Sequence, residues 1–556
     1  MKKIIKYMMI VLIAGSFLNS CETADLDLRV DPNALSENQL DPNLILNSIQ
    51  FAYVTNMQNY NRLGSQLTRI DYMGGRNYFN NYPGATFSGN WARTYSSSFN
   101  GIGNNAAVGL WTNIQNIEAQ NELDGTGKFD FHVGVGKALQ AHNLLLLTDY
   151  LGTAAFSQAG NADEFPAPML DDGPAVYAGA LAMLDEAEAL LSPGPAPIGA
   201  SDFFYEGDTD KWVKFINTVR LKAAVTTGDS GTFNSIIAGG NYISSAADDM
   251  QFQYGARQLD PDTRHPVYAQ NYTPSGAGGY RSNWLMNNML NKQDPRLRYY
   301  FYRQVDATPG ADAPADEENL ACSSATPPLH YDGFVYCFIP EGYWGRSHGN
   351  DEGGPPDGFL KTAAGVYPHA GRFDDNSFGS VGLGLGGQGA GIEPVILSSD
   401  VEFWRGQNAI ATGGDAAPFL KAGMEKSIAK AEGFAALDAT ADKSIAPDEA
   451  TVTAYVDGIV SDYNAATGDD KMNIFAEQYW IAMYGGGAEA YNFYRKTGFP
   501  TTLAPNWELD PGPFPRTFLL PSNEVITNSN LTQRTDMNTQ VFWDTNPAGP
   551  AFPPAN

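Results

Sequence analysis

Residues 135–150 constrain this fold more than any other stretch, because Ala138-Leu139 and Leu144 to Leu147 are nearly all apolar within a length that suits a helix. With Val135, Ala138, Leu139 and Leu144-Leu145-Leu146-Leu147 in one helical pattern, the helix should be buried on most sides. A helix buried all round needs neighbours, and the sequence supplies them. Asp41-Pro42-Asn43 has the cap-then-proline order of a helix start, and Leu44, Ile45, Ile49, Phe51, Ala52 and Val54 follow at near-helical spacing towards Tyr72. Other helical patterns cover 105–122, through Val108, Leu110, Trp111, Ile114 and Ile117, and 173–191, which ends at Ser192-Pro193-Gly194-Pro195. Asp210-Lys211-Trp212 opens another, and Gly485-Gly486-Gly487 splits a helical stretch over 469–497 in two. Paired helices with short breaks are compatible with helix-hairpin repeats of about 34 residues, although the tetratricopeptide consensus is absent.

The texture changes over 244–398, which is rich in Gly, Pro, Asn and aromatic residues, and about half of 379–391 is glycine. A long irregular region inside a folded protein is usually functional or disordered, and the aromatic content favours function. The sequence therefore divides into a signal segment (1–20), a tether (21–40), a helical scaffold (41–243), an irregular lobe (244–398), C-terminal helices (399–505) and a proline-rich, surface-wrapping tail (506–556).

The leader has a cationic head, Lys2, Lys3 and Lys6, and an apolar run over 8–18. That run is too short for the roughly 20 residues of a membrane-spanning helix, and its order is that of a secretory signal. It ends in Leu18-Asn19-Ser20-Cys21, which resembles a bacterial lipobox with Cys21 as the acylated residue. Two or three acyl chains, at about 0.8 kcal/mol per buried methylene, give stable anchoring. Glu22, Asp25 and Asp27 behind it read either as a surface-export signal or as a solvated tether. Losing three lysines with the leader takes the formal charge from −28 to −31. Such a charge argues against nucleic acid, whose phosphates need a basic footprint, and against adhesion to anionic lipid. Cys322 and Cys337 fit a disulfide in an exported chain, worth about 3 kcal/mol in the chain-entropy model. A metal pair has no Cys-x-x-Cys or nearby histidine pair to complete it.

Six segments in order resemble the SusD/RagB family of surface lipoproteins. They are Asp31-Pro32-Asn33-Ala34 with Leu44-Ile45-Leu46-Asn47-Ser48; Asp149-Tyr150-Leu151-Gly152 to Ser157, departing from the family's Pro-Tyr at Ala155-Phe156; and Lys211-Trp212-Val213-Lys214-Phe215 with Arg220-Leu221-Lys222. The others are Tyr343-Trp344-Gly345-Arg346 with Gly365-Val366-Tyr367-Pro368; Glu477 to Ala482 with Glu489-Ala490-Tyr491-Asn492-Phe493-Tyr494-Arg495; and Pro515-Arg516 with Pro521-Ser522-Asn523-Glu524-Val525. The resemblance implies a mainly α fold, a tetratricopeptide-like helix-pair scaffold with an irregular second lobe. It further implies a non-enzymatic protein without cofactor, facing outward on the outer membrane and delivering oligosaccharide or another nutrient to a SusC-like TonB-dependent transporter.

Glycan capture needs flat rings for sugar faces and polar side chains for hydroxyls. Candidates cluster in the loop after the first helix (Tyr72, Arg76, Asn77, Tyr78, Tyr82, Trp91) and in the irregular region (Tyr280, Trp284, Tyr343, Trp344). Trp91 and Trp284 read equally as core anchors, and Tyr343-Trp344 as a structural plug. Asp351, Glu352 and Asp357, near His348, form an oxygen-rich turn open to calcium or to solvent alone. Acids such as Asp185-Glu186-Glu188 fall on a solvated helix face, and no Gly-x-Ser-x-Gly, His-Glu-x-x-His or phosphate loop occurs. The rival functions are an extracytoplasmic helical glycoside hydrolase, which needs two carboxyls about 5 to 9.5 Å apart, a transporter lid for a peptide, and a purely structural lipoprotein.

Overall fold

The computed structural model describes residues 41–96, 109–192, 200–307, 326–337, 339–351, 361–547 and 552. The chain divides into two units, 1–41 and 42–556. Apart from Asp41 the first lies outside the described residues, and with it the leader, Cys21 and the tether.

The second unit is mainly helical. Its scaffold begins with α1 (Pro42–Leu67), α2 (Ser88–Tyr95), α3 (Leu110–Asp124), α4 (Asp130–Leu151), α5 (Gly173–Leu191), α6 (Thr209–Thr227) and α7 (Ser230–Gly239). Helix α4 is the helix expected over 135–150, and every residue over 131–151 except Lys137 is buried. Helices α1, α3 and α5 pack around it, and Lys137 spans Glu118 of α3 and Glu186 of α5 at 2.6 Å each. Two glycines make that packing close: a Cβ on Gly134 would stand 2.7 Å from Leu191, and one on Gly136 2.9 Å from Ile114. Glycine weakens a helix interior by about 1 kcal/mol, so here close packing outweighs propensity. The side chain of Asp172 caps α5 and that of Asp208 caps α6 by accepting orphan backbone N–H groups.

Residues 244–398, expected from the sequence as an irregular lobe, hold little regular structure among the described residues. They are tied at their ends by β3 (Met250–Gln253) and β6 (Ile392–Ile396), which pair antiparallel with Met250 opposite Ile396 and Gln253 opposite Ile392. Inside it lie α8 (Asn283–Asn291) and a two-residue pair, β4 (Phe301–Tyr302) with β5 (Ala363–Ala364). A shorter pair, β1 (Thr153–Ala154) with β2 (Asp171–Asp172), links α4 to α5. Aromatic packing replaces regular structure in the lobe: Tyr268 and Tyr272 stack at 4.4 Å and share a core cluster with Tyr302.

The C-terminal helices are α9 (Ser398–Ala411), α10 (Ala417–Gly433), α11 (Glu449–Ala465), α12 (Gly468–Ala482) and α13 (Ala488–Thr497). The glycine run separates α12 from α13, and Gly487, at φ +126°, lies against α1 where a Cβ would collide with Ser65. The tail after residue 506 is more than a surface strap. It buries Phe514, Phe518, Leu520 and Trp543, because aromatic side chains recur between its prolines, and Phe518 stacks on Tyr150 of α4 at 5.6 Å.

These parts meet at one buried carboxylate. Asp149 of α4, fully buried, accepts hydrogen bonds from Tyr177 of α5, Lys222 of α6, Asn492 of α13 (2.9 Å) and Trp543 of the tail (2.9 Å). Its carbonyl accepts from Arg495 at 2.7 Å, and Glu489 stands 3.6 Å from Lys222. Burial opposes the Lys222 charge, but Asp149 and Glu489 outweigh it and hold the ammonium form. Three of the six family-like segments, at 149–157, 211–222 and 489–495, thus converge on a single hub.

Candidate functional site

Beyond α1 the chain turns at Arg69, whose guanidinium bonds the carbonyls of Leu67 (2.6 Å) and Ala504 (3.0 Å) and fixes the loop that carries Tyr72 and Arg76. Tyr72 is partly exposed, its hydroxyl donates to the Asn350 carbonyl, and its ring meets Tyr280 edge-on at 5.7 Å. Partial burial raises the Tyr72 hydroxyl above its ordinary pKa, against the attraction of Arg346. Two cations lie over the Tyr280 ring, Arg346 at 4.1 Å and Lys361 at 4.7 Å, a favourable arrangement for an aromatic quadrupole. Beneath lies fully buried Trp344 with Cys337, and Tyr280, Tyr336 and Trp507 pack against that pair while staying partly exposed.

Tyr336 and Trp507 stack at 4.7 Å with planes only 10° apart. Tyr331 meets both edge-on, and the Trp507 amide donates to the His348 carbonyl at 2.7 Å. Arg76 at the rim pairs with Asp351 and, at 3.3 Å, with Glu508. The result is a patch of rings bordered by charged hydrogen-bonding groups, the chemistry a sugar face and its hydroxyls require.

Tyr72, Arg76 and Tyr280, singled out from sequence, come together here. Six other candidates are buried and cannot offer a ring face to a ligand. Tyr78 bonds Arg69 and His348 at 3.2 Å, Tyr82 packs on Phe518, and Trp91 packs on Tyr95. Trp284 donates to the Thr502 carbonyl at 2.7 Å, Tyr343 lies under Arg303, and Trp344 is the floor of the patch. Each is a large ring that the irregular backbone needs as filling. Asn77 caps the short helix Tyr78–Asn81. Asp351 is engaged by Arg76, while Glu352 and Asp357 lie outside the described residues; among these no group of three or more His, Cys, Asp or Glu could hold a metal. Cys337 is disulfide-bonded, and Cys322 lies outside the described residues. Tyr336 and Trp507 had no periodicity to mark them; their one sequence signal was an aromatic residue in a loop.

A SusD-like family, described as starch-binding and associating with the outer membrane, matches residues 32–314. No curated protein sequence matches the chain. Solved structures that resemble it include a SusD/RagB family protein from Bacteroides thetaiotaomicron, at 17% identity and TM-score 0.60 over 88% of this chain and 95% of the other. A SusD homologue from Bacteroides fragilis matches at 17% identity and TM-score 0.58, over 91% and 99%. A chitin-binding SusD homologue from Flavobacterium johnsoniae matches at 19% identity and TM-score 0.56, again over 91% and 99%. The class is therefore that of helical binding proteins associated with the outer membrane. Within it, this chain belongs to the SusD/RagB family. No described helix is long and apolar enough to cross a membrane.

Proposed function

We propose that this chain is a surface lipoprotein, acylated at Cys21, that captures a glycan on the Tyr336–Trp507 patch and passes it to a SusC-like TonB-dependent transporter. The observation that carries the reading is the partly exposed ring stack beside Tyr72 and Tyr280, rimmed by Arg76, Asp351 and Glu508. The chitin-binding relative and the starch-binding description of the family support a polysaccharide ligand. The patch carboxylates Asp351 and Glu508 both pair with Arg76, which gives the rim hydrogen-bonding groups held in place for sugar hydroxyls.

Affinity electrophoresis in gels containing starch or chitin derivatives, with chitooligosaccharide calorimetry, tests the ligand. Trp507→Ala is expected to weaken binding roughly tenfold, or about 1.4 kcal/mol, while the protein stays folded. Unchanged affinity in that variant would remove the patch from the reading. Co-purification of the tagged lipoprotein from native outer membranes tests the partner. A stoichiometric TonB-dependent barrel is expected, and recovery alone from membranes that contain the barrel would refute the transporter role.

A further inference from the structure

A cavity of about 330 Å³ lies between α1, α2 and the second lobe; neither Tyr336 nor Trp507 lines it. That volume is at the low end of the roughly 300 to 1,000 Å³ of small-molecule sites and suits a single sugar ring better than a polymer. One wall is a polar stripe of α1 that includes Gln58, Asn59 and Arg62, and α2 adds Asn90 and Arg93. Arg62 bonds Asn59 (2.7 Å) and Gln66 (3.1 Å), and Arg93 bonds Asn56 (2.8 Å) and Asn90 (3.5 Å). All these acceptors are amide oxygens. Neither guanidinium meets a carboxylate among the described residues, in a chain with 62 acidic and 34 basic side chains. Arg281 and Asp71 also line the cavity and pair with each other at 3.4 Å. The buried Nε of Arg281, like the buried Nδ1 of His369, has no partner among the described residues.

The carboxyl in the lobe wall does not neutralise this charge. Burial pushes Glu393 up to about 8 and holds His265 down at about 3. Both shifts favour the uncharged forms, so their 3.9 Å approach does not count as an ion pair. Arginine forks match a carboxylate, and the amides Gln58, Asn59 and Gln270 supply donors and acceptors for hydroxyls. We propose that this cavity is a second binding site, which takes a monosaccharide bearing a carboxylate, with Arg62 and Arg93 on the acid group and the amides on the ring hydroxyls.

Calorimetry of the full protein with glucuronate and galacturonate, against glucose and inorganic phosphate, tests the assignment. One or both uronates should bind at least tenfold more tightly than glucose and than phosphate. Arg93→Gln should weaken that binding tenfold or more. Should Arg93→Gln lower the melting temperature, Arg62→Gln, at an exposed helical position, is the deciding variant, with several-fold weakening expected. Absence of uronate binding at millimolar concentration, unchanged affinity in Arg62→Gln, or equal affinity for glucose or phosphate would each overturn the proposal. Loss of glycan binding at Trp507 would leave it standing, since the two sites share neither residue of the stack.

Discussion

Lys222→Met is expected to destabilise the fold by about 3 to 5 kcal/mol, because it leaves the Asp149 carboxylate buried without its cation. Tyr177, Trp543 and Asn492 would still donate to Asp149, but three neutral donors do not replace a full opposite charge in a dry interior. The loss should spread, because α4, α5, α6, α13 and the tail all reach this carboxylate. The informative comparison is the double variant Asp149→Asn with Lys222→Met. Exchanging a whole buried pair for neutral residues is often close to neutral in energy. Glu489, the second acid on Lys222, has its carboxyl pushed up by burial and can take a proton once the cation is gone, so the double variant should recover much of what the single one loses. Urea midpoints followed by tryptophan fluorescence give the three values. A double variant no better than Lys222→Met alone would show that the pair is not the energetic unit.

That hub also marks how far the sequence could be read. The apolar run of α4, the bounds of α5 and the glycine break between α12 and α13 follow from local chemistry, where period, stop signals and propensity act within one element. The convergence of Lys222, Asn492 and Trp543 on Asp149 depends on contacts between residues far apart in the chain, and no local pattern encodes it. The site shows the same divide within a single loop. Tyr72 and Tyr78 are the same residue type six positions apart, yet one is partly exposed and the other fully buried, because Arg69 and His348 draw the second inward. The Gln58-Asn59-Arg62 stripe carries no motif or period that marks it in the sequence. It becomes a cavity wall only when α2 and the lobe close over it.

The lobe wall of that cavity carries the second large effect. Glu393 is buried, accepts from Asn61 at 2.8 Å, and has its carboxyl pushed from about 4.5 up to about 8 by burial. Below pH 4.5 the folded and unfolded states both hold the proton, and the residue contributes no pH dependence. Between 4.5 and 8 the unfolded carboxyl ionises while the folded one stays protonated. The folded state then binds more protons, and stability falls as pH rises by up to about 1.4 kcal/mol per unit. Above 8 the loss levels off, with a ceiling of about 5 kcal/mol that water in the adjoining cavity reduces. Glu393→Gln keeps the carbonyl oxygen that Asn61 needs and cannot ionise. It should match the parent protein near pH 4.5 and become the more stable of the two by several kcal/mol at pH 8.5. Melting curves of both proteins across that range decide the matter: a gap that opens between pH 5 and 8 supports a proton held on Glu393, and parallel curves would mean that the carboxylate is already ionised and solvated.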